Sequence, residues 1–309
     1  MSTAQRQSST ISRCVESGRA IYRKQYVTDN WGGDSNVIRK RAQREIGLLN
    51  LVSQSRLFGR RFGVMKIAES NPEMATIATF EIPGMTLEQW VHLPRNRQIF
   101  MPWFLAGGWL KRLQQLPLSE TALEVFSNQN KGSLIEYCAT RLNSLADFGY
   151  QWPDLKTKTK ILDSLSPLSN RQKVWVHADY APGNLMWGDG VLTPIDFAMA
   201  RAGHPLEDAS YLIHRLEMAQ VYRPWLGLPL SRFRSAILRG LGRENAETLR
   251  DYQTLKMKHL ICRLHTYVRR PSRNLKQSLH DKWVRRVVRH QIVSIANRSG
   301  EIELTSCKY

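Results

Sequence analysis

Apolar and polar positions follow different rhythms in successive stretches of the chain, and each rhythm predicts a different element. In residues 19–27, RAIYRKQYV, β-branched and aromatic residues mix with charged ones between Gly18 and the turn-rich TDNWGGDSN, which predicts a strand. The polar MSTAQRQSSTISR before it has no such rhythm and reads as a frayed start. Ser35 then precedes NVIRKRAQREIGLLNLV, where Val37, Ile46, Leu49 and Val52 fall near helical spacing, predicting a long helix with a basic outer face. Residues 64–82 predict two strands about the turn Ser70-Asn71-Pro72, the second being ATIATFEI, closed by Pro83-Gly84.

Beyond that point helical periodicity dominates, over residues 87–91, 100–116 and 133–148, followed by a polar connector at 156–173. Two short apolar segments, VWVHADYAPGNLMW and GVLTPIDFAMA, then meet at Gly188-Asp189-Gly190, a hairpin signal, and helices resume from Leu206. The pattern predicts an α+β chain of two lobes: a small, abbreviated β-rich one over residues 1–84 and a large helical one over 85–309 that carries the loop segment 175–200. The length of 309 residues suits that division, and no internal repeat is visible.

The chemistry concentrates in the central hairpin. His177-Ala178-Asp179 is followed five residues after the aspartate by Asn184, and Asp196 stands at the end of the apolar Pro194-Ile195-Asp196-Phe197. An Asp–Asn pair alone is ordinary turn chemistry. Asp, four residues, Asn, a turn, and an acid closing an apolar strand together match what phosphoryl transfer needs. One carboxylate accepts the proton of the attacking hydroxyl, and two hard oxygen ligands hold the magnesium that bridges nucleotide phosphates. Asp179 is thus the candidate base and Asn184 and Asp196 the candidate metal ligands, with His177 packing the loop rather than reacting.

HADYAPGNLMW followed by PIDFAMARAGHPLEDASYL resembles the catalytic core of aminoglycoside phosphotransferases and their choline, homoserine and sugar kinase relatives, which have a protein-kinase-like fold. The family has Gly where Ala178 stands, and that change should be mild. The resemblance implies that Asp208 braces the catalytic loop, that Lys24 pairs with the nucleotide phosphates (Arg23 and Arg39 being competitors), and that Glu45 is the partner of that lysine. Glu45 is the one acid between Asp34 and Glu69. It further implies that Phe80, Glu81 and Ile82 form the lobe connector against adenine. ATP is the expected donor, with GTP open, together with Mg2+. A glycine-rich loop should precede Lys24, yet Gly18 is the sole glycine there, so the nucleotide-covering loop is expected to be abbreviated or absent. Tyr180 and Arg201 flank the expected metal site and are left unassigned.

Charge then narrows the partners. The net charge is +19, and residues 256–298 hold twelve Lys or Arg against the single acid Asp281. That field disfavours cationic acceptors and suits an acidic or sugar-type small hydroxyl compound, or an anionic membrane surface. A nucleic-acid-binding reading would use the same arginines with Tyr267, Trp283 and His259, His265, His280 and His290, but no recognition motif accompanies them. The alternative function is therefore a basic binding protein on a retired kinase scaffold. Cys14, Cys138, Cys262 and Cys307 form no metal or disulfide pattern, and no secretory signal is seen. A cytoplasmic protein, peripheral at the inner membrane face at most, is expected.

Overall fold

The structure, a computed structural model, describes residues 3–5, 9–27, 35–118, 133–150, 152, 155–169, 173–246, 249–271 and 274–306. Its contacts divide the chain into two compact units, one of Met1–Phe126, Lys173–Ala209 and Ser231–Arg243, the other of Ser127–Gln172, Ser210–Leu230 and Glu244–Tyr309.

In the first unit, strands β1 (Thr3–Gln5), β2 (Ser9–Glu16), β3 (Arg19–Tyr26), β4 (Ile67–Asn71) and β5 (Thr76–Phe80) form an antiparallel sheet in the order β1-β2-β3-β5-β4. Two strands therefore precede β3 where a frayed start was expected. β2 escaped notice because its sequence, STISRCVE, is mostly polar, yet all eight of its residues pair with β3. Ser17 and Gly18, at φ 49° and 75°, make the two-residue turn whose twist matches the flanking strands. The turn-rich stretch at 28–34 lies outside the described residues.

Helix α1 (Ser35–Gln54) packs on β3, β4 and β5. Its buried positions are Ile38, Ala42, Glu45, Ile46, Leu48, Leu49 and Val52, whereas Val37 is exposed, so the apolar stripe starts one residue later than the sequence spacing implied.

The rest of the unit is built round α3 (Met101–Leu113), after the short α2 (Leu87–His92). α2 starts at Thr86, whose hydroxyl and the Gln89 side chain cap each other's backbone N–H groups. The predicted central hairpin resolves into two ladders: β7 (Val174–Val176) pairs with β10 (Arg201–Gly203), and β8 (Leu185–Gly188) and β9 (Val191–Pro194) form a hairpin that β6 (Met85–Thr86) extends. Trp103, Trp109, Leu110, Trp175, Tyr180, Leu192 and Phe197 are fully buried beneath these ladders.

Helix α7 (Leu230–Leu241) crosses α3 at backbone contact distance. A Cβ on Gly107 would lie 1.9 Å from the Ile237 carbonyl oxygen, and one on Gly240 would lie 2.0 Å from that of Phe104.

The second unit is helical, with α4 (Leu134–Ser144), α5 (Leu155–Asp163), the greater part of α6 (Glu207–Tyr222), α8 (Arg250–Arg269) and α9 (Leu275–Ser306). Leu142, Leu145, Ile161, Leu260, Leu264, Val284, Val288 and Ile292 are at its core. α5 occupies part of what reads as a polar connector at 156–173. LKTKTKILD places Ile161 in the core with few other apolar residues, and Leu165 follows just beyond the helix, too little apolar signal to announce a helix. No helix among the described residues is long and apolar enough to cross a membrane.

Because the α3–α7 crossing is backbone against backbone, Gly240→Ala should destabilise the protein by roughly 1–3 kcal/mol or more through overpacking. The urea unfolding midpoint measures this, and an unchanged midpoint would contradict the close crossing.

Candidate active site

Period-two alternation along β3 turns Lys24 and Tyr26 to the same face of the sheet, and α1 brings Glu45 against that face. Lys24 Nζ lies 3.1 Å from Glu45 Oε2 and 2.7 Å from Asp196 Oδ1. The Tyr26 hydroxyl also donates to Glu45 Oε2, and the backbone N–H of Phe197 donates to Glu45 Oε1 at 2.9 Å. One turn of helix therefore ties the strand to the segment that carries Asp196. Arg44, the residue before, adds a 2.9 Å bond from its guanidinium to the Ala198 carbonyl. Burial alone would lower the pKa of Lys24, but the charges of Glu45 and Asp196 outweigh it and hold the ammonium above its usual range. Burial, and then the charge of Glu45, push the Tyr26 hydroxyl well up, so it stays a neutral donor.

The loop between β7 and β8 carries the other candidates. Asn184 closes a short 3₁₀ turn (Pro182–Asn184), and its Nδ2 donates to both the Asp179 carbonyl and Asp179 Oδ2, each at 2.9 Å. Both partners are acceptors, so the amide nitrogen must face them, and Oδ1 is the atom left to meet a cation.

Asp208, at the start of α6, accepts the backbone N–H groups of His177 at 2.6 Å and Ala178 at 2.9 Å. Burial pushes its carboxyl up to about 7, against those two donors and Arg201. His177 is fully buried and rests on the rings of Phe197 and Tyr180. Its Nε2 bonds the Ile195 carbonyl at 3.0 Å and so carries the proton; burial lowers its pKa, keeping the ring neutral. Two loop residues other than glycine adopt left-handed backbone: Ala178 at φ 63° and Asp196 at φ 65°.

A cavity of about 250 Å³ opens beside Lys24 and Asp196. Ile11, Met65, Ile77, Met186 and Ile195 make its apolar walls, and Phe80 and Ile82 line its edge. A mostly apolar slot that also carries Lys24 and the carboxylates of Glu45 and Asp196 suits a flat heterocycle with a charged group attached. The Glu81 N–H is given to the Ala20 carbonyl at 2.9 Å, and its carboxylate takes two bonds from Arg13, at 3.0 and 2.8 Å, and one from Tyr22 at 3.1 Å. Glu81 thereby ties the end of β5 to β2 and β3.

The structure thus gathers Lys24, Glu45, Asp196, Phe80 and Ile82 at one cavity, and Asp179, Asn184, His177 and Asp208 in one loop. Arg23, a competitor of Lys24, instead meets Glu16 and Glu69 on the exposed side, and Arg39 meets Glu73. Tyr180 packs, its hydroxyl donating to the Ala106 carbonyl, and Arg201 pairs with Glu207 at 2.5 Å. Sequence reasoning missed Tyr26, which the two-residue offset from Lys24 would have revealed. It also missed Arg44 and the apolar walls Ile11, Met65 and Met186, which come from segments far apart in the chain.

The model of the phosphotransferase enzyme family, APH, matches residues 82–257, more than half of the chain. The chain belongs to this family. By family it is a phosphotransferase.

Solved structures share its fold at low identity. An aminoglycoside phosphotransferase from Alicyclobacillus acidocaldarius superposes with a TM-score of 0.60 at 13% identity, covering 97% of this chain and 93% of that one. An ethanolamine kinase from Plasmodium vivax gives 0.56 at 11%, covering 93% and 81%. An amicoumacin kinase solved with AMP-PNP, Ca2+ and its ligand gives 0.54 at 14%, covering 94% and 88%. No curated protein sequence matches the phosphotransferase.

Two outcomes follow from the loop geometry. Left-handed backbone costs an alanine about 1 kcal/mol or more relative to glycine, so Ala178→Gly should raise stability by roughly 0.5–1 kcal/mol in urea unfolding. No gain would mean that the loop relaxes elsewhere.

For Asp208, folding raises the pKa from 3.8 to about 7, so the folded state holds a proton that the unfolded chain releases between those values. The stability from that proton is present in full below about pH 4 and is lost as pH rises towards 7. The stability difference between the native protein and Asp208→Asn should therefore shrink or reverse over this window. Parallel pH profiles for the two proteins would refute the raised pKa.

Proposed function

We propose that this phosphotransferase is a magnesium-dependent kinase of a small molecule in which Asp179 is the general base and Asn184 and Asp196 hold the metal. The observation that carries the reading is the position of Lys24 Nζ, fixed between Glu45 and Asp196 at the polar end of an apolar cavity. Residues 1–84 are the nucleotide-binding lobe on this reading, with Phe80, Glu81 and Ile82 as the connector and ATP favoured over GTP.

Glu45 and Asp196 together outweigh the single charge of Lys24, so a polyanionic nucleotide meets a cluster of net negative charge unless a cation accompanies it. The donors present, the Asp196 carboxylate and Asn184 Oδ1, are hard oxygens, which suit Mg2+ completed by phosphates and water rather than by a protein cage. When bound, the ion would neutralise the phosphate charge that grows during transfer.

Lys24 orients the phosphates, and Glu45 keeps Lys24 aimed. Asp179 would orient the acceptor hydroxyl and take its proton as the new P–O bond forms and the bond between the γ-phosphorus and the β-phosphate oxygen breaks, ADP leaving, and the Asn184 bond holds that carboxylate in place. His177 and Asp208 fix the loop without touching substrate.

The acceptor we favour is acidic or sugar-type. Structures of similar fold include enzymes solved with gentamicin or streptomycin, and an ethanolamine kinase. A chain of net charge +19 with most of the excess in residues 256–298 would repel such cations at long range. A cytoplasmic location accords with free cysteines that form no disulfide pattern.

The test separates binding from chemistry. Asp179→Ala should lower kcat by about 10²–10⁴-fold while leaving nucleotide affinity near that of the native protein. Asp196→Ala should abolish the magnesium-dependent rise in melting temperature with ATP. Equal turnover in the Asp179 variant would remove its role as base. A nucleotide shift that ignores magnesium would remove the metal assignment.

A further inference from the structure

The second unit carries a surface that phosphoryl transfer does not use. On α9 the buried seam is Asp281, Val284, Val288 and Ile292. The opposite face begins with Leu275, Leu279 and Trp283, spaced four residues apart and so aligned in one ridge. Their exposures are 77%, 58% and 48%, and Trp225, in the turn after α6, is 77% exposed. The Trp283 indole N–H donates to the Val221 carbonyl at 3.1 Å, which places the ridge beside the end of α6, four residues from Trp225. That bond satisfies the one polar atom of the ring and leaves its exposed surface apolar. Large apolar residues gathered in one patch, rather than scattered, mark a contact surface.

On the flank adjoining this ridge, Lys282, Arg285, Arg286 and Arg289 lie one turn or less apart and, with Tyr150, line an open concavity of about 440 Å³. The one acid in the tract, Asp281, has a side chain only 1% exposed and lies in the buried seam, so it does not offset the charge presented outward.

We propose that this face of α9 docks the protein on an anionic phospholipid bilayer. The apolar ridge enters the boundary between headgroups and acyl chains, and the cations bind lipid phosphates. An interfacial helix combines an apolar stripe of Trp and Leu that partitions with Lys and Arg beside it that meet negative charge. A second copy of the chain is excluded as occupant by repulsion, since it would bring the same cations against these. Duplex nucleic acid would use the cations but leave the leucines and tryptophans without a role. This inference goes beyond the kinase reading and does not depend on it.

The experiment is flotation of the full chain with vesicles of phosphatidylcholine alone and of phosphatidylcholine mixed with phosphatidylglycerol, at low and high salt, with a DNA duplex as competitor. Binding should be confined to the anionic vesicles and fall as salt rises. Leu275→Ser combined with Leu279→Ser should weaken it about ten-fold or more. Arg286→Gln and Arg289→Gln should each weaken it about five-fold. All four positions are at the surface, and an unchanged melting temperature certifies the fold of each variant. No binding to either vesicle overturns the proposal. Anionic binding that the leucine pair does not affect and that DNA displaces also overturns it, and assigns the cations to nucleic acid.

Discussion

The structure of the candidate site depends on one buried carboxylate. Glu45 is 1% exposed and would cost several kcal/mol to bury unpaired. Three donors meet it: the Lys24 ammonium, the Tyr26 hydroxyl and the Phe197 backbone N–H. They come from a strand, from two residues further along that strand, and from a loop more than 150 positions away in the chain. Satisfying Glu45 is therefore the same event as bringing sheet, helix and the segment of Asp196 together. Lys24 also binds Asp196, so one ammonium is shared by two carboxylates from distant parts of the chain.

The loop below is fixed by a second device of the same kind. Asp208 gathers the N–H groups of His177 and Ala178, His177 bonds the Ile195 carbonyl, and Asn184 returns to Asp179. The His177 bond joins the two ends of the loop segment, while the other bonds anchor its start and close its middle. The left-handed conformations at Ala178 and Asp196 lie at these two ends, adjacent to Asp179 in one case and at a proposed ligand in the other. At these two positions the surrounding hydrogen bonds hold the left-handed backbone in place.

What could be read from the sequence follows from how local each signal is. Asp179, Asn184 and Asp196 lie within eighteen residues, and their spacing alone places them in one loop and one strand end. Lys24 and Glu45 came from the family resemblance, with Arg23 and Arg39 open as competitors until the sheet placed those two against other acids. β2 was invisible because its residues make a half-exposed hairpin strand, in which Ser, Thr and Arg are as acceptable as apolar residues. α5 was invisible because Ile161 anchors it with little other apolar support from its own sequence. The walls of the cavity were beyond reach for a different reason. Ile11, Met65, Ile77 and Met186 are ordinary core residues by type, and only tertiary folding makes them neighbours.

The nucleotide grip we propose rests on side-chain charge in the first unit: Lys24 held by Glu45, with Asp196 and Asn184 as the proposed oxygens for a cation. The positive excess at residues 256–298 is of a different kind, because it selects partners by sign rather than by geometry. The two charge systems therefore answer different demands. One is paired, buried and directional, as a reacting phosphate requires; the other is exposed and diffuse, as an extended anionic surface requires.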